Sequence, residues 1–319
     1  MVPGLLGFAP GHSVVVVGTD PPAAAALAAH AVSVLAAQGV RTAVAVGYGS
    51  AAAVSPVAAA LREQAAATGI TVTELLRAQD ERYWSYVCAD PACCPPEGTP
   101  FDPAGHPAAQ TLAVAGGTVL AGRDELAASV AAAGGQRGTA MHRATGRALG
   151  QINRCAARLD RAGMPVPVTR LTAAIGQLAV SDAISRCHRG ELPGTGHAAW
   201  LTVALRELRV RDDAWARMDC EHRDAHLLLW AHLTRLARRG YVAAPASLLA
   251  FVAWQSGDGA LANVALDRAL ADRPRYSMAV LLRQALDAGA PPSMARLPMT
   301  PEEVAAAYDA ADEERAARR

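Results

Sequence analysis

The sequence predicts an α/β fold, with a parallel or largely parallel sheet and flanking helices, followed by an all-helical domain. Three observations carry this. Short β-branched runs alternate with helical stretches over the first eighty residues, glycine and proline punctuate each change, and no run of strand character recurs beyond residue 138.

Residues 14–17, VVVV, form the first strand, which Gly18 ends. Asp20 as N-cap, with Pro21 and Pro22 in the first turn, opens a helix that reaches Gln38, and Gly39 closes it. Residues 40–46 form a second strand and GYGS turns the chain. Ser55 with Pro56 opens a second helix running to Thr68, and residues 70–76 give a third strand. The segment RAQDER turns the chain, so RYWSYVC reads as an aromatic strand pairing back as a hairpin. A proline-rich loop from Cys88 to Pro107 follows, then a helix-prone stretch, the short strand candidate TVLAG and a helix opened by Arg123 and Asp124. These elements bound a first domain at residues 1–137.

From Gly138 onward the pattern is helical, broken at GMPVPVT, RGELPGTG, ARRGYVAAP, SGDG, DRPRY and GAPP. The helical domain spans residues 138–299. The tail, 300–319, is a surface helix in which Thr300 caps, Pro301 takes the first helical position and Glu303 completes a capping box. Helices over 247–255, 260–270 and 277–286, joined by SGDG and DRPRY, have the layout of a tetratricopeptide hairpin, with Ala265 and Ala269 small where two helices approach. Such a hairpin can hold a partner segment, so the partner expected of the helical domain is a protein.

Composition narrows the function classes. The chain has 319 residues, 52% hydrophobic but only 4% aromatic, so alanine, valine and leucine dominate its apolar content. Thirty basic residues, all arginine, balance 29 acidic ones to a net charge of +1, which excludes bulk nucleic-acid binding. The most apolar long window, 23–37, is alanine-rich and carries His30 and Ser33, so it reads as a helix of the fold and no membrane association is expected. The opening residues lack a basic n-region, and the expected location is cytoplasmic.

Of six cysteines, Cys88, Cys93 and Cys94 cluster, and with Trp84 and His106 they form a candidate loop site. Thiolates and an imidazole suit Zn2+, but two of the cysteines are adjacent and no CxxC is present. Burial of reduced thiols against the aromatic hairpin is therefore the expectation, with no metal bound; a redox or disulfide role is the further alternative. His222 and His226, four apart in CEHRDAH, offer a metal a pair of ligands alongside Cys220 or Asp219. Arg223 stands where a metalloprotease helix has its glutamate, so a solvated helix face is expected there.

The carboxyl edge of the sheet supplies the candidate ligand-binding residues Gly18, Thr19, Asp20, Gly47, Gly49 and Ser50. GYGS lacks the third glycine of a dinucleotide fingerprint and the GK[ST] of a P-loop, and Asp20 repels phosphate, so no cofactor is identified. No catalytic constellation can be picked out. The alternation of arginine and aspartate in LRVRDDAWARMD reads as a salt-bridged helix face, with an anion site at Arg209 and Arg211 as the alternative.

The segments RYWSYVCADPACCPPEGTPFD, LLLWAHLT and SLLAFVAWQSGDGALANVALDRALADRPRYSMAVLL, with LLGFAPGHSVVVVG at the start, resemble an actinobacterial family, domain of unknown function 4192. The resemblance spans nearly the whole chain and implies an intracellular protein with no established activity, so it assigns no catalytic residue. The leading expectation is a non-catalytic binding or regulatory protein whose helical domain holds a protein partner. The alternatives are a small-molecule-binding enzyme using the carboxyl edge of the sheet and a zinc or thiol-redox protein centred on Cys88, Cys93 and Cys94.

Overall fold

The computed structural model describes residues 13–17, 24–102, 123–164, 168–219, 221–294 and 299–318. The chain divides into two compact units, Met1–Val119 and Leu120–Arg319.

In the first unit, β1 (Ser13–Val17), α1 (Ala24–Ala37), β2 (Thr42–Tyr48), α2 (Ala51–Ala67) and β3 (Thr71–Gln79) alternate as the sequence predicts, and β4 (Arg82–Ser85) and β5 (Thr99–Pro100) follow. The strand order is β1-β2-β3-β4-β5. β1, β2 and β3 run parallel, whereas β4 and β5 pair antiparallel. The sheet is therefore mixed, which corrects the expectation of a parallel or largely parallel one. The reversal is local: Asp80 and Glu81 both take positive φ, the geometry of a two-residue hairpin turn that matches strand twist. Right-handed crossovers in a 1-2-3 order put both helices on the same face, and α1 does pack on α2. Their shared core is made of small side chains, Ala28, Val32, Ala43, Ala45, Val57, Leu61 and Leu75 among them.

The helix after GYGS begins five residues before the expected start. Ser50, not Ser55, is the N-cap, its Oγ accepting from the Ala53 N–H at 3.3 Å, and Pro56 lies inside the helix. The expected strand candidate TVLAG lies outside the described residues.

The second unit is helical among its described residues. It comprises α3 (Arg123–Ser129), α4 (Gly135–Arg161), α5 (Val168–Cys187), α6 (Thr195–Ala204), α7 (Leu208–Ala216), α8 (Arg223–Leu236), α9 (Ala243–Gln255), α10 (Gly259–Asp272), α11 (Ser277–Asp287), a 3-10 turn (Pro292–Met294) and α12 (Pro301–Ala317). Its core holds the large buried side chains Trp230, Met141, Leu201, Leu205, Leu248 and Leu266. α9 is buried along nearly its whole length, so it forms the centre of the unit. Asp272, at the end of α10, accepts from the backbone N–H groups of Val242 and Ala243 at 2.9 and 3.1 Å and so satisfies orphan donors at the start of α9. Helix α5 crosses α6 and α7 closely enough to require Gly176, whose Cβ would stand 2.8 Å from Val210 and 3.0 Å from Ala204. α12 opens with the predicted capping box, Thr300 and Glu303 exchanging hydrogen bonds at 2.8 and 3.3 Å. No helix among the described residues is long and apolar enough to cross a membrane.

Candidate functional site

Three sulfurs converge on the loop between β4 and β5. The Sγ atoms of Cys88, Cys93 and Cys94 lie within 4.8 Å of one another, and those of Cys93 and Cys94 are 4.0 Å apart. Two polar side chains fold the chain to this end. Ser85 donates to Glu74 Oε1 at 2.7 Å and accepts from the backbone N–H groups of Val87 and Cys88, which fixes where the loop leaves the strand. Asp90 makes an Asx turn: its Oδ1 accepts from the Ala92 N–H at 2.9 Å, and its backbone carbonyl accepts from the N–H groups of Cys93 and Cys94. That turn carries the Cys-Cys pair back toward Cys88.

The thiols are not buried against the aromatic hairpin as the sequence suggests, because Cys93 is exposed and Cys88 and Cys94 are only partly covered. All three are free. The Asp90 backbone amide and the Cys94 thiol, both hydrogen-bonding toward its sulfur, hold Cys88 below the ordinary thiol range. Cys94, which gives up its hydrogen bond to Cys88 and is partly desolvated, is pushed up to about 12. Cys88 is thus the sulfur disposed to be a thiolate, the form that ligates metals and attacks electrophiles.

Trp84 anchors this loop, but half-buried and not within the core. The Arg77 guanidinium lies 3.4 Å from its ring centroid, a cation–π contact, and Trp84 Nε1 donates to the Pro96 carbonyl at 2.9 Å. Gly98 closes the other side. Its φ of +84° favours glycine, and a Cβ there would meet the indole at 2.5 Å. Arg82 donates to the Gly98 carbonyl at 2.8 Å, which ties β4 to the return of the loop. Ser55 Oγ and Tyr86 Oη, 2.8 Å apart, connect the hairpin to α2.

The carboxyl-edge candidates have structural tasks. A Cβ on Gly47 would lie 2.4 Å from Val54, so this glycine lets α2 approach β2. Gly49 donates to the Ala78 carbonyl and accepts from Arg77, and Ser50 caps α2. Arg77 therefore joins the GYGS turn to the Trp84 side of the thiol loop. Gly18, Thr19, Asp20 and His106 lie outside the described residues.

In the helical unit, His222 and His226 do not share a solvated helix face. His222 is the residue before α8 and takes non-helical φ and ψ, whereas His226 in its first turn is fully buried. Burial holds His226 below the ordinary histidine range. Cys220 lies outside the described residues. The arginine–aspartate alternation forms ion pairs: Arg217 with Asp213 at 2.7 Å, Arg211 with Asp212, and Arg209 with Asp309 of α12 at 2.8 Å. Tyr308 of α12 donates to Asp212 at 2.6 Å, so Arg209 and Arg211 are engaged with carboxylates that fasten the last helix to α7.

Sequence reasoning missed the residues that build the thiol site, namely Arg77, Ser85, Asp90 and Gly98. One signal was available: in ADPACC, an aspartate before proline with cysteines three and four residues later marks an Asx turn that would return them to Cys88.

Residues 1–293 match the family described as domain of unknown function (DUF4192), and the chain belongs to that family. No curated protein matches it. No solved structure does either.

Proposed function

From membership of a family of unknown function as the premise, we propose that this chain is a metal-binding protein whose α/β unit holds a borderline-soft divalent cation, Zn2+, on Cys88, Cys93 and Cys94. The observation that carries the reading is the convergence of three sulfurs. A tetrahedral ion with Zn–S bonds of about 2.3 Å sets its sulfurs about 3.8 Å apart, and Cys93 and Cys94 already stand at 4.0 Å. The expectation of metal-free thiols rests on spacing that suits burial better than ligation; the loop nevertheless brings the three sulfurs together, and Cys93 is exposed. Three thiolates leave one tetrahedral position for a further donor or an exogenous ligand.

A disulfide between Cys88 and Cys94 is the second reading, favoured by the lowered Cys88 thiol beside its hydrogen-bonding partner. It uses two sulfurs and gives Cys93 no role, which is why ligation is preferred. The tetratricopeptide-like reading of α9, α10 and α11 keeps its support in the cap at Asp258 and the wholly buried Ala265 and Ala269. Burial of α9 on nearly every side makes that hairpin a core element, so a groove for a protein partner finds less support than the thiol site.

The test is metal and thiol analysis of the full chain isolated without chelator. Ligation gives one equivalent of zinc that is lost in the Cys93→Ser, Cys94→Ser variant of a chain also carrying His188→Ala and Asp219→Asn. Metal-free protein with two thiols fewer than after reduction gives the disulfide instead.

A further inference from the structure

A second set of metal donors meets in the helical unit, from parts of the sequence more than thirty residues apart. α5 ends at Cys187 and places His188 directly beyond its last turn, the segment before α8 supplies Asp219 and His222, and the first turn of α8 supplies His226. The rings of His188 and His222 stack with centroids 3.9 Å apart and planes at 14°. His188 stands edge-on to His226 at 5.8 Å. Asp219 Oδ1 accepts from the His222 backbone N–H at 2.6 Å and from its Nδ1 at 3.0 Å, while Oδ2 lies 3.8 Å from His226 Nε2. Donor atoms of His188, Asp219 and His226 all lie within 4.8 Å of one another.

An independent observation points to a ligand. His226 is 0% exposed, and neither of its ring nitrogens has a hydrogen-bond partner among the described residues. A buried polar group left unpaired forfeits its hydration without compensation, a penalty that leucine at this position would not carry. An imidazole held there with Nε2 toward a carboxylate and a second histidine is placed as a metal ligand is placed.

We propose that His188, Asp219 and His226 form a binding site for a divalent first-row transition cation. Two imidazoles and one carboxylate suit Zn2+ or Co2+ and disfavour Mg2+ and Ca2+, which take oxygen donors. His222 is a positioning residue: its ring holds Asp219 Oδ1 by a hydrogen bond and braces His188 by stacking, the outer-shell arrangement that orients carboxylate and histidine ligands. A tetrahedral ion bound at about 2.0–2.2 Å needs donors about 3.3–3.6 Å apart, so Oδ2 and Nε2, 3.8 Å apart, must close by a few tenths of an ångström on binding. Exposed His188 and the Asp219 side chain, 45% exposed, have room to move, while buried His226 is the fixed point. Three protein donors leave at least one position open, which distinguishes a site of this type from a closed structural one.

The experiment uses the full chain carrying Cys88→Ser, Cys93→Ser and Cys94→Ser, so that its outcome does not depend on the thiol site. Equilibrium dialysis against Co2+, with visible absorption of the bound ion, reads stoichiometry and affinity. The site predicts one bound equivalent. It also predicts at least about a tenfold loss of affinity in His188→Ala and again in Asp219→Asn, with circular dichroism unchanged because both positions are at least partly exposed. His226→Leu should abolish binding, and the two exposed variants decide the matter if that one fails to fold. A folded chain that binds no stoichiometric Co2+, or binds it equally well after His188→Ala and Asp219→Asn, overturns the proposal.

Discussion

The thiols of the α/β unit fall within seven residues of one loop, held by hydrogen bonds at a partly exposed hairpin, whereas the imidazoles of the helical unit come from two helix ends, one of them buried. The two clusters differ in the origin of their rigidity. Ser85, Asp90 and the Arg77–Trp84–Gly98 stack set the sulfur positions locally, so damage to that loop should register at the site before it registers in global stability. His226 is set by the helical core, so damage there should register first as unfolding. Local hydrogen bonds position without contributing much stability, and core packing does both.

Variants placed on either side of this divide should behave differently. The largest effect is expected from Ala265→Arg, which forces a charge into a fully buried position in α10. It should destabilise the helical unit by more than about 3 kcal/mol, seen as loss of helical circular dichroism or of its cooperative melt. Trp230→Ala empties the largest fully buried site of the same core and should cost about 3–5 kcal/mol in denaturant titration. Trp84→Ala should cost less, about 1–2 kcal/mol, because the ring is only half-buried. Its zinc affinity should nevertheless fall at least about tenfold, the range for loss of a supporting residue around a metal site. Equal stability losses for Trp84→Ala and Trp230→Ala would erase the distinction between the loop and the core.

The smallest effect concerns α12. Arg209, by its hydrogen bond, holds the Asp309 carboxyl below the ordinary carboxylate range. A carboxyl whose folded-state pKa is depressed stabilises the fold above its unfolded value of about 3.9 and loses that contribution as pH falls through the folded value. Amide exchange of α12 should therefore quicken as pH is lowered below about 4, after correction for intrinsic rates, and Asp309→Asn should remove that acid-dependent change.

How much of this could be read beforehand follows the same divide. The β1 to β3 alternation, the RAQDER turn and the capping box at Thr300 were readable because each depends on neighbours in sequence: β-branched runs, two residues tolerating positive φ, and a threonine three residues before glutamate. The start of α2 was misread because Pro56 resembles a first-turn proline, yet Ser50 offers the better cap and the proline fits within the helix. The cysteine cluster was visible as a pattern but misjudged as buried, since spacing does not report which way an Asx turn sends the sulfurs. The partnership of His226 with His188 was not readable at all. The two are 38 positions apart, and only the packing of α5 against α8 brings their segments together.

Zinc X-ray absorption on the full chain, with the histidine cluster silenced by His188→Ala and Asp219→Asn, reads the donor atoms around the ion. Ligation by Cys88, Cys93 and Cys94 predicts one zinc with a shell of three sulfurs at about 2.3 Å. A bound zinc surrounded only by nitrogen and oxygen at about 2.0–2.2 Å, or a chain that takes up no zinc while all three thiols stay reduced, would contradict it.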